Sequence, residues 1–182
     1  MKKRIIIDSR LMNITIERLC QQLIEVHDDF QNTVILAIQP RGVYFADRII
    51  KKLNTILNRE VPVGYLDVTF FRDDFRRKSA PLLANATKVP FLIENKKVIL
   101  VDDVLYTGRT VRAALDAMIA FGRPASVDLC VLVDRKYSRD LPIQPDFIGK
   151  EVNCLESEKV IVRFTEQGEK EDFISLVSKN EA

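Results

Sequence analysis

One stretch limits what this chain can fold into more than any other: Val98-Ile99-Leu100-Val101-Asp102-Asp103-Val104-Leu105-Tyr106-Thr107-Gly108-Arg109-Thr110. Val98 to Val101 is apolar without alternation, which suits a strand buried on both faces of a parallel sheet. Asp102 and Asp103 follow at its C-terminal end, the edge where open α/β sheets bind ligands. After Tyr106 the period changes. Val111, Ala114, Leu115, Met118 and Phe121 recur at helical spacing, and Gly122 with Pro124 makes the stop. Thr107 to Thr110 is therefore predicted as a loop feeding a helix N-terminus, where unpaired N–H groups and the helix dipole favour a phosphate. The hydroxyls of Thr107 and Thr110 can donate to the same oxygens, and Gly108 permits close backbone approach. A monophosphate there, with two carboxylates alongside, suits a sugar phosphate. The carboxylates can accept from ribose hydroxyls and hold Mg²⁺ through water. Taken alone, a short Asp-Asp and Thr-Gly pattern could equally be an ordinary strand–turn–helix with a capping threonine and a solvated acid pair.

Other nucleotide signatures are absent. The six glycines never come closer than fourteen residues apart, which excludes a G-x-G-x-x-G turn and a G-x-x-x-x-G-K-[ST] loop. A chain of 182 residues with 47% hydrophobic and 30% charged residues is expected to form one domain with a real core. A net charge of +2 does not by itself imply a polyanionic partner. Cys20, Cys130 and Cys154 are odd in number and widely spaced, so neither a disulfide framework nor a zinc site is expected, and a reducing cytosol fits. Ile5 to Ile7 is too short for a signal segment, and no apolar run approaches a membrane span.

In chain order, Ile5 to Ile7 reads as a strand. Ile16, Leu19, Cys20, Leu23, Ile24 and His27 form one helical stripe, with Glu17, Arg18, Gln21, Gln22 and Glu25 opposite. From 13 to 29, four acids (Glu17, Glu25, Asp28, Asp29) stand against Arg18, a local net of −3 that should repel nucleic acid. His27 is the only histidine and reads as structural, which weakens any mechanism with a histidine-activated nucleophile. Thr33 to Ile38 reads as a core strand. Gln39-Pro40-Arg41-Gly42 follows and then a helix, a second anion nest if it is not a plain turn. Val61 to Phe71 reads as a strand. The segment from Arg72 through Asp74 to Lys78, with four positive and two negative charges, opens a long connection: a basic lid or a solvated hairpin. Ser126 to Val133 is another strand, with Asp134 and Arg135 at its end and a polar loop to Pro142. Val160 to Phe164 reads as a late strand and Phe173, Ile174 and Val177 as a short final helix. This order predicts a right-handed α/β sheet with extra pieces capping one edge.

The full thirteen-residue string resembles the signature of type I phosphoribosyltransferases, which bind phosphoribosyl pyrophosphate (PRPP). Further strings narrow the resemblance: Ile38 to Tyr44, Phe70 to Asp74, Phe121 to Pro124, Val131 to Arg135, Leu141 to Ile143, Asp146 to Lys150 and Ser157 to Val160. Together they resemble the bacterial bifunctional pyrimidine-operon regulators that are also uracil phosphoribosyltransferases. The resemblance implies a central parallel sheet flanked by helices, in a single domain spanning 1–182. The core would run over about 10–135, with a small hood from about 1–9 and 136–182. It implies a cytoplasmic enzyme that converts uracil and PRPP to UMP and pyrophosphate with Mg²⁺.

By the same resemblance Asp102 and Asp103 are the catalytic, ribose-binding acids, and Val104, Leu105, Tyr106, Thr107, Gly108, Arg109 and Thr110 bind the 5′-phosphate. Gln39, Pro40, Arg41, Gly42, Arg72 and Arg139 face pyrophosphate. Val133, Asp134 and Arg135 lie by the base and hood. Asp102, Asp103 and Asp134 hold the metal through water. Displacement at the anomeric carbon should pass through an oxocarbenium-like transition state that nearby carboxylates stabilise. The family's second role is UMP-dependent binding of pyrimidine-operon mRNA, and it implies a homodimer or a higher assembly of dimers. Here Glu17, Gln21 and Val26 stand at first-helix positions that carry basic or histidine residues in the family. Lys136 to Asp140 replaces a shorter Gly-His-Arg-Glu, and Gln39 replaces a lysine. The first two changes remove charge that would bind RNA. The rival expectations are an RNA regulator with vestigial catalysis and a phosphoribosyltransferase for another, purine base.

Overall fold

The structure, a computed structural model, describes residues 3–73, 84–155 and 157–178. The main sheet is built from β2 (Thr33–Ile38), β3 (Val63–Leu66), β4 (Lys97–Leu105), β5 (Ser126–Lys136) and β6 (Phe147–Asn153). Its order is β3-β2-β4-β5-β6 and every pairing is parallel. Alternate residues of the central strands serve two cores. Ile35, Ala37, Ile99 and Val101 pack with α1 (Ser9–His27) and α2 (Gly42–Leu57). Val34, Leu36, Val98 and Leu100 pack with α3 (Arg109–Met118). The apolar runs lack alternation because both faces of the sheet are covered.

The chain leaves β2 toward one edge through α2 and leaves β4 toward the other through α3. The order therefore reverses between β2 and β4, and their C-terminal loops flank a topological switch point, where α/β sheets bind ligands. A second sheet of β1 (Arg4–Ile7), β8 (Phe173–Ser178) and β7 (Glu158–Arg163) is antiparallel, with β8 in the middle. It joins the α1/α2 core through Ile7, Val160, Phe164, Ile174 and Leu176.

Four segments differ from expectation. The predicted final helix is β8: six residues are too few to hold a helix against the hydrogen bonds that β1 and β7 both offer. The strand expected over 61–71 stops at Leu66, because Asp67 folds back on the chain. Its carboxylate accepts from Thr69 N at 2.7 Å and Asn85 N at 2.6 Å. A 3₁₀ turn, Thr69–Phe71, follows. β6, which supplies the fifth strand of the main sheet, comes from the part of the chain expected in the hood. It is an edge strand, and its charged Lys150 and Glu151 hide the apolar alternation. Finally, β4 and β5 run further than expected, so Asp102, Asp103, Asp134 and Arg135 lie within strands. Residues 74–78 of the expected basic lid lie outside the described residues.

His27 is buried at the end of α1 against Phe30 and Phe147. Its Nδ1 is 3.4 Å from Thr33 Oγ1 and its Nε2 3.4 Å from Asp128. The three cysteines are buried. No described helix is long and apolar enough to cross a membrane.

Candidate active site

A cavity of about 660 Å³ opens at the switch point. Asp102 and Asp103 lie in it, in the C-terminal half of β4, each 7% exposed. Neither makes an ion pair among the described residues. Asp102 Oδ1 accepts from Asp103 N at 2.9 Å. Burial pushes the Asp102 carboxyl well above the usual carboxylate range, and the neighbouring Asp103 charge adds to this. Burial also raises Asp103, with Arg41 drawing it back down. Two buried carboxylates answered by a single nearby guanidinium form a donor set that fits a divalent cation or a polyhydroxylated ligand. The third expected acid is elsewhere: Asp134 pairs with Arg139 and lines a neighbouring recess of about 360 Å³. Among the described residues no three His, Cys, Asp or Glu side chains converge as a metal cage.

Gly42 brings the second loop to these acids. A Cβ there would sit 2.6 Å from the Val101 carbonyl oxygen and 3.1 Å from Asp102 Cα. Only glycine lets the N-terminus of α2 rest on β4 at this point. The Gln39–Pro40 bond is cis. Gln39 lines the cavity, yet its N–H donates to Leu66 O and its side-chain amide to Ala86 O. Pro40 has no N–H, so the loop's donors toward a ligand begin at Arg41.

The first loop forms a side recess of about 170 Å³, lined by Arg72, Asp102, Val104 to Gly108, Thr110 and Val111. Gly108 adopts φ +90°, a left-handed conformation glycine tolerates best, and opens α3. Arg72 Nη1 donates to Thr110 Oγ1 at 2.9 Å. The side chain of Arg109 turns away from the recess. It pairs with Asp140 at 2.9 Å and with Asp73, tying the loop to two neighbouring segments.

Arg139 is not brought into the cavity. Its guanidinium donates to the carbonyls of Ile143, Tyr106 and Arg135 and to Asp134, so it buttresses the loop after β5. Val133 is fully buried in the core. Arg135 does line the cavity, with its guanidinium 3.9 Å from the Tyr106 ring centroid. Sequence reading missed Lys159 and Val160, which reach the cavity from β7. Their only signal was membership in the Ser157 to Val160 string. A separate cavity of about 730 Å³ lies between α1, α2 and the small sheet. No residue singled out for a ligand lines it. Its one arginine, Arg48, is neutralised by Asp172 at 2.5 Å and Glu166 at 2.7 Å.

The phosphoribosyl transferase domain model matches residues 5–168. The chain is 46% identical to Bifunctional protein PyrR of Brevibacillus brevis over 164 residues, 90% of this chain and 91% of that protein. It is 42% identical to Bifunctional protein PyrR of Bacillus subtilis, over 91% of this chain and 92% of that one. Among solved structures it resembles the hypoxanthine phosphoribosyltransferase of Trypanosoma cruzi, with TM-score 0.72, 16% identity and 96% of each chain covered. A Staphylococcus aureus hypoxanthine phosphoribosyltransferase gives TM-score 0.70 at 17% identity, covering 98% of this chain and 94% of that one. At such identities the structural likeness speaks for the fold alone.

Proposed function

The chain belongs to the phosphoribosyl transferase domain family and, within it, to the PyrR bifunctional proteins, and from that premise we propose that it transfers phosphoribose from PRPP to uracil. The observation that carries this reading is the meeting of two anion-binding loops and an acid pair at one switch point. One loop ends in a helix N-terminus beside Asp102, which suits a 5′-phosphate. The other rests on Asp102 from the opposite side, which suits a diphosphate.

In the reaction, N1 of uracil forms a bond to C1′ of the ribose. The C1′–oxygen bond to pyrophosphate breaks, pyrophosphate leaves with the bonding pair, and the N1 proton passes to water. The carboxylates of Asp102 and Asp103 orient the ribose hydroxyls and stabilise positive charge developing at the ring. Arg41 and the first turn of α2 receive the departing pyrophosphate. Asp102 and Asp103 are the residues that would hold Mg²⁺, through water and with substrate oxygens. Bound there, the ion would supply neutralisation of the pyrophosphate charge. Gly108, Thr107 and Thr110 anchor the 5′-phosphate, and orientation in a closed site supplies much of the remaining rate.

The deciding assay is UMP formation from uracil and PRPP with Mg²⁺, for the wild type and Asp103→Asn. Turnover that falls at least about tenfold in the variant, a barrier increase of roughly 1.4 kcal/mol, supports both the reaction and the acids. No turnover with uracil, in a protein that still binds PRPP, overturns the reading and favours a purine base or the regulator alone.

An RNA role on α1 is disfavoured by its surface. Glu17, Gln21 and Val26 are exposed, and Arg18, which lies between Glu17 and Gln21, is spent on the carbonyls of Ile148 and Gly149, which leaves Arg10, nearer the N-terminus, as the other exposed arginine of α1. A gel shift with pyrimidine-operon leader RNA and UMP should therefore show weak binding, and tight binding would restore the regulator reading.

A further inference from the structure

β2 and β5 flank β4 on opposite sides. The 39–42 loop and Arg135 therefore stand on opposite sides of the acid pair. A base that displaces pyrophosphate must approach C1′ from the side away from the leaving group. That wall of the cavity is made by Tyr106, Arg135, Lys159 and Val160.

Arg135 is unusual within it. The residue is 4% exposed and makes no ion pair among the described residues. Its Nη2 donates to Glu158 O at 3.1 Å, and its Nε has no hydrogen-bond partner among the described residues. Its guanidinium carbon lies over Tyr106, 3.9 Å from the ring centroid. A buried cation with an orphaned donor is costly unless a ligand answers it. The cation–π contact with Tyr106 restricts where it can point.

We infer that Arg135 is the specificity-determining residue for the base, a donor-only contact that selects a ring carbonyl oxygen and rejects an exocyclic amino group. This rests on the uracil reading above and sharpens it. A guanidinium has five donors and no acceptor. Uracil presents two carbonyl oxygens to such a group. Cytosine replaces one of them with an amino group, which would set donor against donor and leave Arg135 unpaired.

The test is steady-state kinetics with PRPP and Mg²⁺, using uracil and cytosine as competing bases, for the wild type, Arg135→Met, Arg135→Gln and Arg135→Lys. The wild type should prefer uracil by at least about 10³-fold in kcat/KM, in the range that unpaired buried polar groups impose. Arg135→Met should raise KM for uracil at least about tenfold, leave KM for PRPP within about twofold, and narrow the preference at least about tenfold. Arg135→Gln, whose amide oxygen can accept, should shift it furthest toward cytosine, while Arg135→Lys keeps part of it. Wild-type turnover of cytosine within about tenfold of uracil overturns the inference without needing any variant to fold. So does a folded variant with unchanged uracil KM and unchanged preference; either outcome leaves the uracil reading standing. Absence of uracil turnover in the wild type overturns both.

Discussion

Asp102 shows what a buried acid at the candidate site costs the fold. Its carboxyl is raised well above the ordinary 3.8, first by burial and then by Asp103. A carboxyl whose folded value is raised stabilises the fold fully below the unfolded value, and that contribution is lost as pH rises through the folded value. Ionising the pair therefore weighs against folding. Asp102→Asn removes one charge and can keep the contact from Asp103 N. It should raise the urea midpoint at pH 7.5, and the gain should shrink toward pH 4, while UMP formation falls at least about tenfold. A variant less stable than wild type at pH 7.5 would refute this account. The acid pair could be read from sequence because it ends a buried run, and backbone position alone put it at the ligand edge. Arg109, Arg139 and Gln39 could not be read that way. They lie in the loops singled out from the sequence, yet their side chains are spent on Asp140 and Asp73, on carbonyls, and on Ala86 O. Side-chain direction depends on partners distant in sequence.

Elements followed the sequence where burial was two-sided and departed from it where pairing decided. β2, α2, β4 and α3 were legible because their apolar patterns answer to cores on known faces. β8 was misread because Phe173, Ile174 and Val177 fit a helical spacing, and nothing local reveals that β1 and β7 wait on either side. Beside its apolar seam with the α1/α2 core, the small sheet and the turn after β7 are tied to α2 through Arg48, which donates to Asp172, Glu166 and Thr165 and lies 4.8 Å from the Phe164 ring centroid. Burial alone would raise Asp172, but hydrogen bonds from Arg48 and Thr165 hold its carboxyl below the usual range. A lowered carboxyl stabilises the fold above its unfolded value, and that stability is lost as pH falls through the folded value. Arg48→Met leaves the buried Asp172 without its counter-ion, keeping the Thr165 N–H bond, and should cost about 2 kcal/mol at pH 7, in line with charged hydrogen bonds. Measured by urea unfolding, the loss should diminish below about pH 4 as Asp172 protonates in both proteins. A constant loss across that range would mean that packing on Phe164, rather than the ion pair, carries the contact.

At the scale of the whole molecule, the candidate site lies where three parts meet: the end of the parallel sheet, the two loops that turn away from it in opposite directions, and β7 of the small sheet. A ligand that touches all three should stabilise the fold as a unit. At about 100 times its dissociation constant, one bound ligand adds about 2.7 kcal/mol. For a domain of this size that corresponds to a rise of roughly 5–10 °C in Tm. PRPP with Mg²⁺ should reach this range, whereas PRPP without the metal should fall short, because its diphosphate would confront the acid pair with no cation between them. Ribose 5-phosphate lacks the diphosphate and uses the 107–110 loop and the ribose contacts. Its smaller shift should be largely indifferent to Mg²⁺. Thermal unfolding with the three additions separates the parts of the site. A ribose 5-phosphate shift that vanishes in Thr110→Val would locate the monophosphate in the first loop. No shift at saturating ribose 5-phosphate would mean that this loop is a cap for α3 and not an anion site. Hydrogen exchange on the PRPP complex extends the test to the second sheet: protection should rise in β7 as well as at the ends of β2 and β4. Protection confined to the main sheet would mean that Lys159 and Val160 border the cavity without closing on its contents.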